Sequence, residues 1–194
     1  MKFLEIFDNL TDYNSPILNI INIEGRKYKT KLDYKPSLSL GFSFGENNHN
    51  TKYNPTLAQT IKDAEIKFSK IPILLQYEVW ESFKKDEKLG NNIYLVGDKY
   101  EVCPKGTKEV LEMMIEIADK EGLIKKSPLY TTHPAQAFRT LEIGKKLGLE
   151  GYPFIKADVQ WPSKNIHTSF VRSPKKWAKR EIMVRVHHKL KGWI

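Results

Sequence analysis

The chain has 194 residues, of which 40% are hydrophobic and 28% charged, and it carries a formal net charge of +9. This length and composition predict one globular domain and exclude a disordered or fibrous chain. No segment approaches the roughly 18 consecutive apolar residues of a membrane-spanning helix. Glu5 interrupts the N-terminal stretch in a way that does not fit a secretion signal, so we expect a cytoplasmic protein without a membrane span. The single cysteine, Cys103, excludes an intrachain disulfide.

The positive charge is concentrated at one end of the chain. Residues 159–194 contain nine lysines and arginines and a single acidic residue, Glu181, which leaves the first 158 residues close to neutral. The basicity is therefore a property of the C-terminal segment, and any contact with nucleic acid is expected there.

The predicted elements alternate between strand and helix along most of the chain. Residues 1–36 are an N-terminal extension of uncertain structure, with a short helix at Phe3–Leu10 and a hairpin around Glu24-Gly25 as interpretations. Strand patterns follow at 37–45, 71–75, 92–96, 127–134 and 151–160, and helical patterns at 55–70, 106–122, 134–148 and 173–194. The alternation predicts a single α/β domain over 1–194, a Rossmann-like three-layer fold with a mainly parallel sheet.

Apolar stripes predict which faces of two helices are buried. The stripe of the helix at 55–70 consists of Leu57, Ile61, Ala64, Ile66 and Phe68. The C-terminal helix is predicted to start with Ser173 as its N-cap and Pro174 in its first turn. Its stripe consists of Ala178, Ile182, Val186, Leu190 and Trp193. We therefore expect a basic amphipathic helix that covers part of the core.

Ligands of open parallel sheets bind outside the carboxyl ends of the strands, so the polar residues at those ends are the candidate site. Three clusters have this position: Gly45, Glu46 and Asn47 after the first strand, Gln76 and Glu78 after the second, and Thr131, Thr132 and His133 after a later one.

The stretch LYTTHPAQAFRT, at 129–140, is the most informative of these. Pro134 suits the first turn of a helix, and the N–H groups that follow it attract anions. Arg139, about one and a half turns further on, is a candidate anion ligand. His133 is a candidate acid or base because its ordinary pKa lies near neutrality. The alternative is a purely structural join between strand and helix, with Arg139 in an ion pair.

Gln76 and Glu78 interrupt an apolar run and are spaced so that both point to the same side of an extended chain. Because burial without a partner is costly, we expect them to line a polar cavity, to pair internally, for example with Arg139, or to face solvent beyond the strand end. If a helix begins near Tyr77 instead, only Gln76 stays at the strand end.

Several familiar motifs do not occur in this sequence. GENNHN, at 45–50, is neither a G-x-G-x-x-G fingerprint nor a P-loop, so the sequence supports neither a dinucleotide cofactor nor ATP hydrolysis, and the cofactor is left unknown. The five histidines lack metal-ligand spacing, so no metal site is predicted either. There is no G-x-S-x-G elbow for a nucleophilic serine.

A second hypothesis makes the segment 159–194 a nucleic-acid-binding module. Its phosphate contacts would come from Lys175, Lys176, Lys179 and Arg180, and its stacking surfaces from Trp161 and Trp177. A solvated basic face is the commoner explanation of such a segment.

The sequence THPAQAFRT, at 132–140, and the polar loop after the first strand resemble the YdcF-like (SanA/ElyC-related) family of bacterial and archaeal proteins of unknown function. The resemblance covers the chain from about Ser37 onward, and its specific part is confined to this motif. It implies a Rossmann-like fold with a crevice suited to a nucleotide-like or phosphorylated molecule. It points to His133 and Arg139, with Gly45, Glu46 and Asn47 on the opposite wall. The family usually has a Ser-Gly-Gly type turn after its second strand, where this chain has LLQYEVWE.

The leading functional hypothesis is binding of a small anionic or nucleotide-like ligand at the carboxyl ends of the parallel strands, with turnover as an open alternative. Arg139 and the helix start at Pro134 would hold the anion, and His133 would transfer a proton. Ligand hydroxyls or amines would be oriented by Glu46, Gln76 and Glu78.

Overall fold

A computed structural model describes the chain over residues 35–44, 55–68, 71–83, 92–97, 106–154 and 173–193. In chain order the elements are β1 (Leu38–Gly41), α1 (Pro55–Lys67), β2 (Ile73–Gln76), α2 (Tyr77–Trp80), β3 (Ile93–Val96), α3 (Thr107–Lys120), β4 (Pro128–Thr131), α4 (Pro134–Lys146), β5 (Tyr152–Pro153) and α5 (Pro174–Leu190). The helix and hairpin predicted within 1–34 lie outside these ranges, as does Cys103.

The strands form a five-stranded parallel sheet in the order β3-β2-β1-β4-β5. Leu40 of β1 pairs with Leu74 of β2 on one side and with Tyr130 of β4 on the other. The chain moves outward from β1 to β3 and then returns to the other side of β1 at β4. The carboxyl ends of β1 and β4 therefore flank the point where the strand order reverses, which is where such sheets bind ligands. The predicted Rossmann-like α/β fold is confirmed.

Helices cover both faces of this sheet and make three layers. Ile73 and Leu75 of β2 belong to the same apolar cluster as Ile61 of α1. Leu74, between them, belongs to the opposite cluster, which includes Met114 of α3. Burial on both faces explains why β2 appears in the sequence as a continuous apolar run.

The predicted end of α4 and the predicted start of α5 are confirmed. α4 stops two residues before Gly148, whose φ of +79° lies in the left-handed region that glycine adopts without strain. α5 starts after Ser173, whose Oγ accepts a hydrogen bond from the Lys176 N–H at 3.3 Å, and Pro174 occupies the first turn.

The stripe predicted for α1 is confirmed in part: three of its members are buried, Phe68 lies half-buried one residue past the end of α1, and Ile66 is exposed. Leu57, Ile61 and Ala64 are buried, whereas Ile66 is 80% exposed. Ile66 follows Ile61 by five residues, and at about 100° per residue this rotates it roughly 140° away from the buried face. Its inclusion in the stripe was wrong.

The buried face of α5 also differs from the predicted one. Val186 and Leu190 belong to the predicted stripe but are 56% and 83% exposed, so that part of the prediction was wrong. Trp177 and Glu181 are buried instead. The rotation of α5 follows from pairing between Glu181 and Arg139 of α4, an interaction that apolar periodicity does not register.

Candidate functional site

Hydrogen bonds tie three strand ends together at the carboxyl edge of the sheet. The Phe42 N–H donates to the Thr131 carbonyl oxygen at 2.9 Å, which extends the pairing of β1 with β4 beyond the end of β1. Gln76, the last residue of β2, is buried, and its Oε1 accepts a hydrogen bond from the Ser43 N–H at 2.7 Å. The segments after β1, β2 and β4 are thus held next to one another, as the candidate site requires.

Gln76 and Glu78 are separated by a change of secondary structure. α2 begins at Tyr77, so the two side chains do not lie on one side of an extended chain, and that interpretation was wrong. The alternative, in which only Gln76 stays at the strand end, is confirmed. Glu78 is buried within α2.

His133 is the N-cap of α4. Its Nδ1 accepts a hydrogen bond from the Ala135 N–H at 3.2 Å, and the Phe44 ring stacks on it with centroids 3.8 Å apart and planes within 8°. The side chain is 2% exposed, and burial lowers the pKa of His133 to about 3. The imidazole is therefore neutral at neutral pH. Because Nδ1 accepts a hydrogen bond, the single ring proton is carried by Nε2.

Arg139 lies beneath α5. Its Nη1 donates to Glu181 Oε2 at 2.7 Å, and the two side chains are 9% and 0% exposed. The guanidinium carbon lies 5.2 Å from the centre of the Trp177 ring. Burial lowers the pKa of Arg139 from its ordinary value, and the negative charge of Glu181 opposes this shift. The pair fastens α4 to α5.

Trp177 fastens the same two helices through its indole. Nε1 donates to the Ala135 carbonyl oxygen at 3.3 Å, and the ring centre lies 4.7 Å from that of Phe44. With 3% of its surface exposed, Trp177 has no face free to stack on a nucleic-acid base, contrary to that part of the second hypothesis.

Among the buried polar atoms near the start of α4, Thr131 Oγ1, Thr132 Oγ1 and Gln136 Oε1 have no hydrogen-bond partner among the described residues. Both threonines are 0% exposed, and Gln136 is 8% exposed. Nearly all buried polar groups in folded proteins have a partner, since leaving one without costs about 1–3 kcal/mol. Gln136 Nε2 donates to Thr107 Oγ1 at 3.4 Å, which places the carboxamide between the first turns of α3 and α4.

Some predicted site residues lie outside the described part of the chain or away from the strand ends. Gly45, Glu46, Asn47 and the side chain of Lys175 are outside it. Lys176 and Arg180 are exposed on α5, and Lys179 is partly exposed there. Within the described ranges, no group of three or more histidine, cysteine or acidic side chains could hold a metal ion. None of the helices in those ranges is long and apolar enough to cross a membrane.

Three residues that matter at this edge were missed by the sequence predictions. Phe44 stacks on His133, Gln136 bridges two helix starts, and Glu181 pairs with Arg139. Of the three, only Glu181 stands out in the sequence, because it is the sole acidic residue within 159–194.

The chain has no match among family models, curated proteins or solved structures. The YdcF-like resemblance therefore stays a prediction, and function is inferred from the geometry of the strand ends and the start of α4.

Proposed function

We propose that the protein binds a small anionic or nucleotide-like ligand, such as a sugar phosphate or a nucleotide, at the carboxyl ends of β1 and β4. The observation that carries this proposal is the set of buried polar atoms without described partners, at Thr131, Thr132 and Gln136. They lie at the reversal of strand order, where a parallel sheet receives its ligand.

The chemistry of these atoms fits an anion that also carries hydroxyl groups. Threonine hydroxyls donate hydrogen bonds to phosphate or carboxylate oxygens, and the amide oxygen of Gln136 accepts one from a ligand hydroxyl or amine. The positive end of the α4 dipole favours negative charge beside them. His133 already caps the Ala135 N–H, so side-chain hydroxyls rather than that backbone group are the donors offered to a ligand.

The low pKa of His133 fits a ligand-binding site better than it fits a group that transfers protons. A pKa of about 3 leaves its ring neutral at physiological pH, whereas an efficient general acid or base has a pKa near the operating pH. Its role as an acid or base stays a prediction. The YdcF-like resemblance implies the same ligand class.

Replacing Thr132 with Val tests the proposal because valine keeps the shape of the side chain and removes the hydroxyl. Without ligand, we expect the free energy of unfolding to change by less than about 1 kcal/mol, because the lost hydroxyl has no partner among the described residues. We expect affinity for the ligand to fall about tenfold. A thermal-shift screen with sugar phosphates, nucleotides and their dephosphorylated forms identifies the ligand, and titration gives the affinities.

Ser39 provides the matched control. Its hydroxyl is also buried without a partner among the described residues, but it lies inside β1, two residues before the carboxyl end. Ser39→Ala should leave ligand affinity unchanged. The proposal fails if no phosphorylated compound raises the melting temperature, or if Thr132→Val and Ser39→Ala have the same effect on affinity.

A further inference from the structure

The solvent-exposed side of α5 combines large aliphatic side chains with cations. Met183, Val186 and Leu190 are 60%, 56% and 83% exposed, and their spacing of three and four residues places them on one side of the helix. Exposed lysines precede and follow them at Lys176, Lys189 and Lys191. We call these aliphatic and cationic residues together the outer face of α5.

The charge of the outer face is not neutralised within α5. Glu181, the one acidic residue of this helix, is fully buried and accepts hydrogen bonds from Arg139 at 2.7 Å and Arg185 at 3.1 Å. The outer face therefore carries the positive charge of its three lysines, and an anionic surface is electrostatically complementary to it.

We propose that the outer face of α5 binds the surface of a membrane that contains anionic phospholipids. The aliphatic side chains enter the boundary between headgroups and acyl chains, and the cations contact lipid phosphates. Long lysine and arginine side chains reach headgroups while their stems lie along apolar surface. This interaction is independent of the ligand site at the strand ends.

Size and shape favour a lipid surface over a protein partner. The aliphatic side chains of the outer face expose on the order of a few hundred Å², and the residues around them are lysines, which are depleted at the core of protein interfaces. A convex helix face also needs no matching groove when it meets a bilayer.

Nucleic acid is the other anionic candidate, and the apolar side chains argue against it. Binding to a phosphate backbone relies on cations, so exposed Met183 and Leu190 would contribute nothing to it. Stacking on bases requires an exposed aromatic ring, and Trp177 of α5 is buried.

Flotation of the full chain with lipid vesicles tests the proposal. We expect no binding to phosphatidylcholine vesicles and clear binding when phosphatidylglycerol replaces a third of the lipid. Salt should weaken this binding without abolishing it, because salt screens charges and leaves apolar burial intact.

Two variants separate the two contributions to binding. Met183→Ser combined with Leu190→Ser should lower the vesicle partition coefficient about tenfold through lost apolar burial. Lys176→Gln, Lys189→Gln and Lys191→Gln combined should lower it about a hundredfold, since each cation near an anionic surface contributes about fivefold.

Matched controls carry the same substitutions elsewhere on the surface. Ile66→Ser with Ile124→Ser removes aliphatic groups that are 80% and 69% exposed. Lys120→Gln with Lys145→Gln and Lys146→Gln removes the same number of exposed cations from the ends of α3 and α4. Both controls should bind vesicles as the unaltered protein does.

Several results would overturn the proposal. One is failure of the unaltered protein to bind anionic vesicles, and another is equal loss of binding in variants and controls. A third is tight binding to a mixed-sequence oligonucleotide that the lysine variant loses and the Met183/Leu190 variant keeps, which would assign the outer face to nucleic acid. Ligand binding at the strand ends is measured without vesicles, so its outcome is independent of these results.

Discussion

Buried polar groups at the two ends of the β4–α4 unit differ in their hydrogen bonding. The near end is the one at the candidate site, where β4 ends and α4 begins, and the far end is the opposite one, where β4 begins and α4 ends. Tyr130, next to the carboxyl end of β4, is fully buried, and its side chain reaches to the far end, where its hydroxyl donates to the Leu149 carbonyl oxygen at 2.7 Å, just past the end of α4. The next two residues, Thr131 and Thr132, are equally buried, yet their hydroxyls have no partner among the described residues. Within three consecutive residues, one polar group stabilises the fold, and the next two are those that we propose bind the ligand.

The two ends also differ in what holds them in place. The far end depends on close packing, because Gly151 lies so near the Pro128 carbonyl oxygen that an added Cβ would overlap it. The near end depends on charge, through the buried pair of Arg139 and Glu181. Changes at the far end should therefore affect stability alone, and changes at the near end should affect stability and the ligand site together.

Glu181→Ala should have the largest effect on stability. It leaves the guanidinium of Arg139 buried without its carboxylate, which costs about 3–5 kcal/mol of unfolding free energy by denaturant titration. Combining Glu181→Leu with Arg139→Met removes both charges and should recover most of this loss. A cost below about 1 kcal/mol for Glu181→Ala would show that α5 does not hold the near end by charge.

Gly151→Ala tests the far end. Overlap of the new Cβ with the Pro128 carbonyl oxygen should lower the unfolding free energy by about 3 kcal/mol and leave ligand affinity unchanged. Gly148→Ala is the control, because its Cβ would meet no atom within 4 Å and only the backbone strain at φ +79° remains, at about 1 kcal/mol. If both variants lost the same unfolding free energy, packing against Pro128 would not be the cause. If Gly151→Ala bound the ligand more weakly, the two ends would not be independent.

The fold could be predicted because its signals are local. The apolar run of β2, the cap at Ser173 and the turn at Gly148 each depend on a few neighbouring residues, and all three are confirmed. The rotation of α5 was not predictable from apolar spacing. It depends on a pair of charges 42 residues apart in sequence, whose meeting is a consequence of packing.

The positions of the candidate site residues after β4 could be predicted from the sequence, but the protonation of His133 could not. Thr131, Thr132 and His133 were placed at a strand end because polar residues follow an extended run, and they do lie there. The neutral state of His133 could not be predicted from the sequence. Its protonation depends on burial under Phe44, a contact between segments far apart in the chain.

Because His133 is neutral in the folded protein, we expect its contribution to the free energy of unfolding to fall at acid pH. The pKa of His133 is about 3 in the folded protein and near 6.5 when unfolded, so between these values the unfolded chain binds a proton that the folded chain does not. Stability is complete above about pH 6.5 and falls by about 1.4 kcal/mol per unit as the pH is lowered through this window. In His133→Asn, which still offers the Ala135 N–H an acceptor and has no charge to titrate, this contribution should vanish.

The measurement is the unfolding free energy of both proteins between about pH 6 and pH 4, where His133 should account for roughly 2–3 kcal/mol of the loss in the unaltered protein. Groups that titrate in both proteins cancel in the difference. If the profile of His133→Asn instead ran parallel to that of the unaltered protein, the ring would have to accept a proton in the folded state. Water would then reach the start of α4, Thr131 and Thr132 would have solvent as a partner, and the contrast between the two ends of β4–α4 would disappear.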